Sequence, residues 1–205
     1  MILPDNQQTR FQAAAIVARG GVIAFRTDTF YGLGADPFNQ AAVRSIKELK
    51  GREESKPILV LIADVRDVDR FIAESSALID RVCARQWPGP LTLIGKARPE
   101  LSEELTAGTG TIGVRLPDHG EVRDLVRGCG GALTATSANT SGQPPARTAK
   151  EVESYFPIGI DLIIYGGEVM ATEPSTVLDL SGSQPQLIRE GAIKMKDLEE
   201  SLGLG

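Results

Sequence analysis

Histidine is almost absent from this sequence. His119 is the only one among 205 residues, so a zinc site built on two histidines is excluded. A serine triad would have to recruit His119, and the sequence has no Gly-x-Ser-x-Gly elbow to meet it. The setting Leu-Pro-Asp-His119-Gly predicts a surface residue in a turn or a first helical turn. Cysteine is nearly as scarce. Cys83 and Cys129 lack metal-ligand spacing, and two lone thiols suit a reducing compartment better than a disulfide scaffold. Basic charge is not in excess either. A net charge of -5 and a pI near 5.1 argue against a broad face for nucleic acid, while leaving a local basic pocket open. No apolar run approaches a membrane span, and Met1-Ile-Leu-Pro-Asp-Asn6 lacks the basic-then-apolar pattern of a secretion signal. A cytoplasmic protein without a membrane partner is expected. There is no Walker loop. Gly32-x-Gly34 falls short of a dinucleotide fingerprint, because Pro37 stands where the third glycine belongs.

What is present is an ordinary globular composition, 41% hydrophobic and 24% charged, with enough chain to bury a core. Neither linker, repeat nor compositional break divides it, so one domain over 1–205 is predicted. Asp5 or Asn6 caps a first helix through Phe11, Ala14, Ile16 and Val17, closed by Gly20-Gly21. Val22–Phe25 reads as a buried strand, and Arg26–Asp36 as a polar, glycine-rich loop behind it. Asn39 caps a helix through Val43, Ile46 and Leu49 that ends at Gly51. Ile58–Ile62 is apolar on both faces and predicts an interior strand. Asp64 caps a short helix, and Ser75 or Ser76 another through Leu78, Ile79 and Val82. Trp87-Pro-Gly-Pro90 is a rigid turn, with Trp87 read as packing. Further strands are expected at Leu91–Ile94, Thr111–Arg115, Ala132–Thr136, Leu162–Tyr165, Thr176–Asp179 and Gln186–Ile188. Helical pieces are expected at Leu101–Leu105, Val122–Val126, Ala149–Tyr155 and Lys196–Leu202. The alternation predicts an α/β fold with a twisted, mixed parallel and antiparallel sheet.

The chemistry gathers at a corner. Lys47, Lys50, Arg52 and Lys56 fall within ten residues, where Gly51 stops a helix and Pro57 forces extended chain. Read alone, these are equally well anion ligands or solvated charges at the negative end of a helix dipole. Two other polar segments also follow strands, Thr27–Gly34 and Thr136–Gly142, and Arg115 and Arg189 stand at strand ends. In a wound α/β sheet such loops converge at one edge. The inventory suits a phosphate-bearing ligand and a small carboxylate or zwitterion. It offers no nucleophile–base pair, so catalysis by positioning and charge stabilisation is expected.

The motifs also resemble a known family. Thr27-Asp-Thr-Phe-Tyr-Gly-Leu-Gly-Ala-Asp36 is similar to the Thr-Glu-Thr-x-Tyr-Gly-Leu-Gly signature of the YrdC-type L-threonylcarbamoyladenylate synthases. Lys50-x-Arg52 with Ser137-x-Asn139 resembles that family's Lys-x-Arg…Ser-x-Asn tetrad. Trp87-Pro-Gly-Pro-Leu-Thr-Leu, Val114-Arg-Leu-Pro, Ser175-Thr-Val-Leu-Asp and Leu187-Ile-Arg-Glu-Gly-Ala-Ile193 follow in the family's order. The resemblance runs from about Gly20 to Ile193. It implies a concave YrdC-like fold and the conversion of L-threonine, bicarbonate and ATP into threonylcarbamoyl-AMP and pyrophosphate, with Mg²⁺ carried on the ATP phosphates and no protein-ligated metal. The product would supply the downstream machinery that modifies tRNA adenosine beside the anticodon, with a weak RNA contact as a further expectation. Position by position, Lys50 and Arg52 would be catalytic. Arg52, Lys56, Thr111, Ser137, Asn139 and Arg189 would hold ATP. Thr29, Arg115 and Ser175 would hold threonine, and Tyr31 would wall it or simply pack. Arg26, Lys56 and Leu61 depart from residues common in the family, respectively Pro, Asn and His. The chain resembles the family's short form. Two alternatives share the fold: a carbamoyl-adenylate-forming relative, and a non-catalytic protein of RNA binding or ribosome assembly.

Overall fold

The computed structural model describes residues 1–51 and 57–203. Arg52 and Lys56 therefore lie outside the described residues. Ten strands form one sheet. In chain order they are β1 (Ile2–Pro4), β2 (Ile23–Arg26), β3 (Tyr31–Gly34), β4 (Leu59–Ile62), β5 (Leu91–Lys96), β6 (Thr111–Arg115), β7 (Ala132–Ser137), β8 (Leu162–Tyr165), β9 (Thr176–Asp179) and β10 (Gln186–Arg189). Their spatial order is β1-β8-β2-β3-β7-β4-β6-β5-β9-β10. Four neighbouring pairs are parallel (β1 with β8, β8 with β2, β4 with β6, β5 with β9) and the other five are antiparallel. The mixed sheet is as the alternation predicted. The last three strands, close in sequence, part company: β8 enters one half of the sheet and β9 and β10 close the other.

Strand β7 joins the halves. Its first four residues, Ala132 to Ala135, pair with β4, and its last two, Thr136 and Ser137, pair with β3. Whatever follows β7 therefore emerges at the seam between them.

The helices α1 (Gln7–Ala18), α2 (Gln40–Lys50), α3 (Ala77–Gln86), α4 (Glu103–Thr106), α5 (Gly120–Gly128), α6 (Ala149–Tyr155) and α7 (Met195–Leu202) carry the caps the sequence promised. Asn6 accepts from the Thr9 amide at 2.9 Å, Asn39 from Ala42 at 3.2 Å and Ser76 from Ile79 at 3.2 Å. Asp64 caps the 3₁₀ turn Val65–Arg70. Gly51 closes α2 in the left-handed region at φ +56°. One hydrophobic cluster sets α1 and α5 on one face, through Ala13, Val17, Val122 and Val126. The larger cluster lies on the other, under α2, α3, α6 and α7.

Three expectations are corrected. Phe11 does not face the core; it is 77% exposed, and Ala13 and Val17 supply the buried side of α1. Ile2–Pro4 is an edge strand that its three residues were too few to announce. The segment read as a loop after β2 contains β3, which returns antiparallel to β2. Two glycines masked it, since glycine is a poor strand former. The packing demands one of them: a Cβ on Gly34 would come within 2.6 Å of the Phe25 ring.

Both thiols are pushed up to about 12, mainly by burial, with Asp80 adding to the effect at Cys83 and Asp36 at Cys129. The reactive thiolate is thus scarce at neutral pH. An alkylating reagent at pH 8 is expected to label neither cysteine appreciably in the native protein and both within minutes in denaturant. Fast native labelling would contradict this placement.

Candidate active site

Beyond β4 the face of the sheet that α1 and α5 occupy elsewhere is concave and open. Alternate residues of the strands point into it: Leu59 and Leu61 from β4, Thr92 and Ile94 from β5, and Thr111, Gly113 and Arg115 from β6. The cleft measures about 520 Å³. Its location corrects the expectation of loops meeting at strand ends. The ligand surface is largely a sheet face, with the Thr27–Phe30 and Ser137–Gly142 segments forming its far wall.

Every described residue given a ligand role by the resemblance lines this one cleft: Thr29, Tyr31, Lys50, Thr111, Arg115, Ser137, Asn139, Ser175 and Arg189; Lys47 of the basic corner does not, and pairs with Glu104 at 3.6 Å. Thr27, Thr92 and Thr136 line it too and were not singled out. A strand threonine has no sequence signal that separates it from a packing residue, though Thr27 and Thr92 stand inside motifs already noticed.

Lys50 ends α2, and its side chain is buried. Its ammonium donates to the carbonyls of Ser137 and, at 2.8 Å, Asn139. The helix end is thereby tied to the loop that leaves β7. Asn139 is buried as well. Its amide nitrogen donates to Thr140 O at 3.0 Å and Gln143 O at 2.6 Å, and Oδ1 is buried with no donor among the described residues.

Arg115 is 3% exposed. It donates from Nε to Gly89 O at 3.1 Å, from Nη1 to Thr29 Oγ1 at 3.2 Å, and from Nη2 to Asp28 Oδ2. A guanidinium has five N–H groups; among the described residues, two of Arg115's remain for a ligand. Burial pulls its pKa down, Asp28 opposes that, and Arg189 adds to it. The two guanidiniums thus feel each other across the cleft. Arg189, also lowered by burial, grips the Ser175 carbonyl from Nε at 3.1 Å and Nη2 at 2.8 Å, and reaches Ser175 Oγ at 3.3 Å.

The hydroxyls have a readable polarity. Thr27 donates to Phe30 O at 2.7 Å and accepts from the amides of Thr29 and Phe30 at 3.1 and 3.2 Å. Its hydrogen and lone pairs are used in closing the β2–β3 turn. The Thr29 hydroxyl accepts from Arg115 and lies 3.1 Å from Thr27 Oγ1; since Thr27's hydrogen goes to Phe30 O, Thr29 is the donor of that pair. Ser175 and Thr92 lie 3.0 Å apart, Oγ to Oγ1. Their shared bond uses one hydrogen and leaves the other to a ligand. That spare hydroxyl donor, beside two guanidiniums and an ammonium, suits a surface for anions. Tyr31 packs: it is fully buried, its hydroxyl donates to Gly167 O at 2.8 Å and accepts from Gly166 N at 3.2 Å, and burial raises its pKa. His119 stands at the start of α5, as expected, without a side-chain cap hydrogen bond; it is only partly exposed, with Nε2 3.1 Å from Arg26 Nη1 and Nδ1 3.1 Å from Glu121.

Fold and cleft together define an α/β protein with an open cleft on one sheet face, lined by positive charge and hydroxyls and, among the described residues, by no nucleophile–base pair. The chain belongs to the Sua5/YciO/YrdC family, whose model, described as "Telomere recombination", matches residues 15–191. A Bacillus subtilis protein named threonylcarbamoyl-AMP synthase is 37% identical over 202 residues, 98% of this chain. This chain spans only 58% of that relative's length. An Idiomarina loihiensis protein of the same name is 36% identical over 85% of this chain and 95% of its own. The crystal structure of Pyrococcus abyssi Sua5 complexed with L-threonine superposes with a TM-score of 0.95 at 32% identity, over 99% of this chain and 61% of that one.

Proposed function

We propose that this chain makes threonylcarbamoyl-AMP and pyrophosphate from L-threonine, bicarbonate and ATP, as a single domain working in the cytoplasm and supplying the machinery that modifies tRNA. No described helix is long and apolar enough to cross a membrane. The observation that carries the reading is the convergence of Lys50, Arg115 and Arg189 on one cleft, supported by the names of the relatives and the L-threonine complex of the Pyrococcus protein.

The chemistry follows from charge. The threonine amine forms a bond to the bicarbonate carbon, a C–O bond breaks, and the departing hydroxyl leaves as water with a proton from the amine, giving a carbamate. A carbamate oxygen then attacks the α-phosphorus of ATP, and the bond to pyrophosphate breaks. Both partners in the second step are anions. Two unit charges about 4 Å apart repel by about 4 kcal/mol at an effective dielectric near 20. That alone is worth about three powers of ten in rate. In this reading Arg115, Thr29 and Ser175 hold the amino acid. Lys50 and Arg52 offset the charge on carbamate and phosphate. Lys56, Thr111, Ser137, Asn139 and Arg189 face the nucleotide. Mg²⁺ travels on the phosphates and would supply further positive charge there. A hard cation takes oxygen ligands, and the buried, unpartnered Oδ1 of Asn139 fits it.

The test is pyrophosphate release from ATP by the purified chain. Release is expected only when L-threonine and bicarbonate are both present. Release without threonine, or none under any condition, would overturn the reading. Equal rates with serine would overturn the substrate while keeping the reaction.

A further inference from the structure

Asp28 has no part in the reading above, yet its carboxylate is in direct contact with the cleft's most buried cation. Oδ2 accepts from Arg115 Nη2, and the Asp28 side chain is only 15% exposed. Oδ1 is buried and has no hydrogen-bond donor among the described residues. Such an atom is a standing cost to the fold, because a carboxylate oxygen stripped of water needs a donor. Asp28 also lines a side hollow that shares Thr29 as a wall with the main cleft. Asp28 is absent from the main cleft's own lining and meets it through Thr29, its neighbour in the chain, and through Arg115, to which it is bonded.

The pair has the shape of an amino-acid reader. Arg115 keeps two N–H donors, and Asp28 keeps one acceptor. In an α-amino acid a carboxylate and an ammonium flank a single carbon, so the groups that receive them must themselves be neighbours. Asp28 and Arg115 are neighbours because they are bonded to each other. Resting on the proposed function, we infer that Asp28 is a specificity-determining residue: Oδ2 orients Arg115 for the substrate carboxylate, and Oδ1 accepts the hydrogen of the substrate's α-amino group. The same acceptor would hold the carbamate N–H after carboxylation. The turn around Thr27 supplies the rigidity, since its hydrogen bonds fix the backbone on both sides of Asp28.

Asp28→Asn separates the two functions of the side chain. Arg115 can only donate, so the carboxamide oxygen must face it, and Nδ2 then occupies the place of Oδ1. The orientation of Arg115 is kept, and the orphan acceptor becomes a donor that opposes an ammonium. The probes are L-threonine and 3-hydroxybutanoate, which is threonine without its amine, titrated calorimetrically into the full chain. The wild type is expected to prefer threonine by on the order of 30-fold. Asp28→Asn is expected to lose about that factor for threonine and to bind 3-hydroxybutanoate within about threefold of wild type. Asp28→Ala removes both functions and is expected to weaken both ligands. Wild-type threonine affinity in Asp28→Asn would overturn the inference, as would equal loss of both ligands. A wild type that binds no threonine would instead overturn the functional reading on which it rests.

Discussion

Replacing Lys50 with alanine is expected to lower kcat/KM for pyrophosphate release by about 10²–10³, the loss that follows removal of one donor to a developing negative charge, about 3–4 kcal/mol. Lys50 has a second task. Its ammonium satisfies the carbonyls of Ser137 and Asn139, at the point where the chain leaves β7. Deleting it strands those acceptors, which costs about 1–3 kcal/mol. For a domain of this size that is about 2–12 °C in Tm. The variant should therefore be folded, modestly less stable and nearly inactive. Lys50→Arg keeps the charge and should recover stability before activity, because the longer planar group does not reproduce a point donor. Wild-type turnover in a folded Lys50→Ala protein would remove the central assignment.

The second large effect is expected at Arg115. Arg115→Ala leaves the Asp28 carboxylate buried beside an apolar stub. Breaking a buried pair by removing one partner costs about 3–5 kcal/mol, or about 6–20 °C in Tm for a domain of this size. Arg115→Lys retains a cation and should fold closer to wild type. It cannot donate at once to Gly89, Thr29, Asp28 and a substrate carboxylate. A loss of about 2–5 kcal/mol in threonine recognition follows, read as a rise in KM for threonine of at least about 30-fold with KM for ATP little changed. If both parameters moved together, Arg115 would be supporting the whole cleft and not the amino-acid subsite.

The two variants probe different kinds of knowledge about the molecule. Lys50 was legible because it stands between a helix stop at Gly51 and a strand, in a run of cations that an acidic chain does not otherwise show. Arg115 was legible as the last residue of a strand. Neither could be seen to share a cavity, since they come from strands and helices separated by some sixty residues. Asp28 illustrates the opposite failure. It lies inside a motif that was noticed, but an aspartate between two threonines reads as turn chemistry until its partner is known. Strand β3 was lost for a local reason: Gly32 and Gly34 look like loop, and only the Phe25 ring packed over Gly34 shows why a strand there must carry glycine. Phe11 was misplaced because helix periodicity gives faces only up to a rotation, and two small residues, Ala13 and Val17, fit the sheet more closely.

The residues alone gave most of the elements, except β1 and β3, and the caps of α1, α2 and α3, because these depend on neighbours within four positions: Asn39 three residues before Ala42, Gly51 free to turn left-handed, alternation along Thr111–Arg115. They also settled which side chains could hold an anion. Tertiary structure decided where those side chains meet. The order of strands brings β9 beside β5, with β10 outside it, and β7 across the seam. Pairing of this kind is governed by burial and hydrogen bonding between segments far apart in the chain, such as Leu91 with Thr176 and Gly32 with Ser137, to which local propensity contributes nothing.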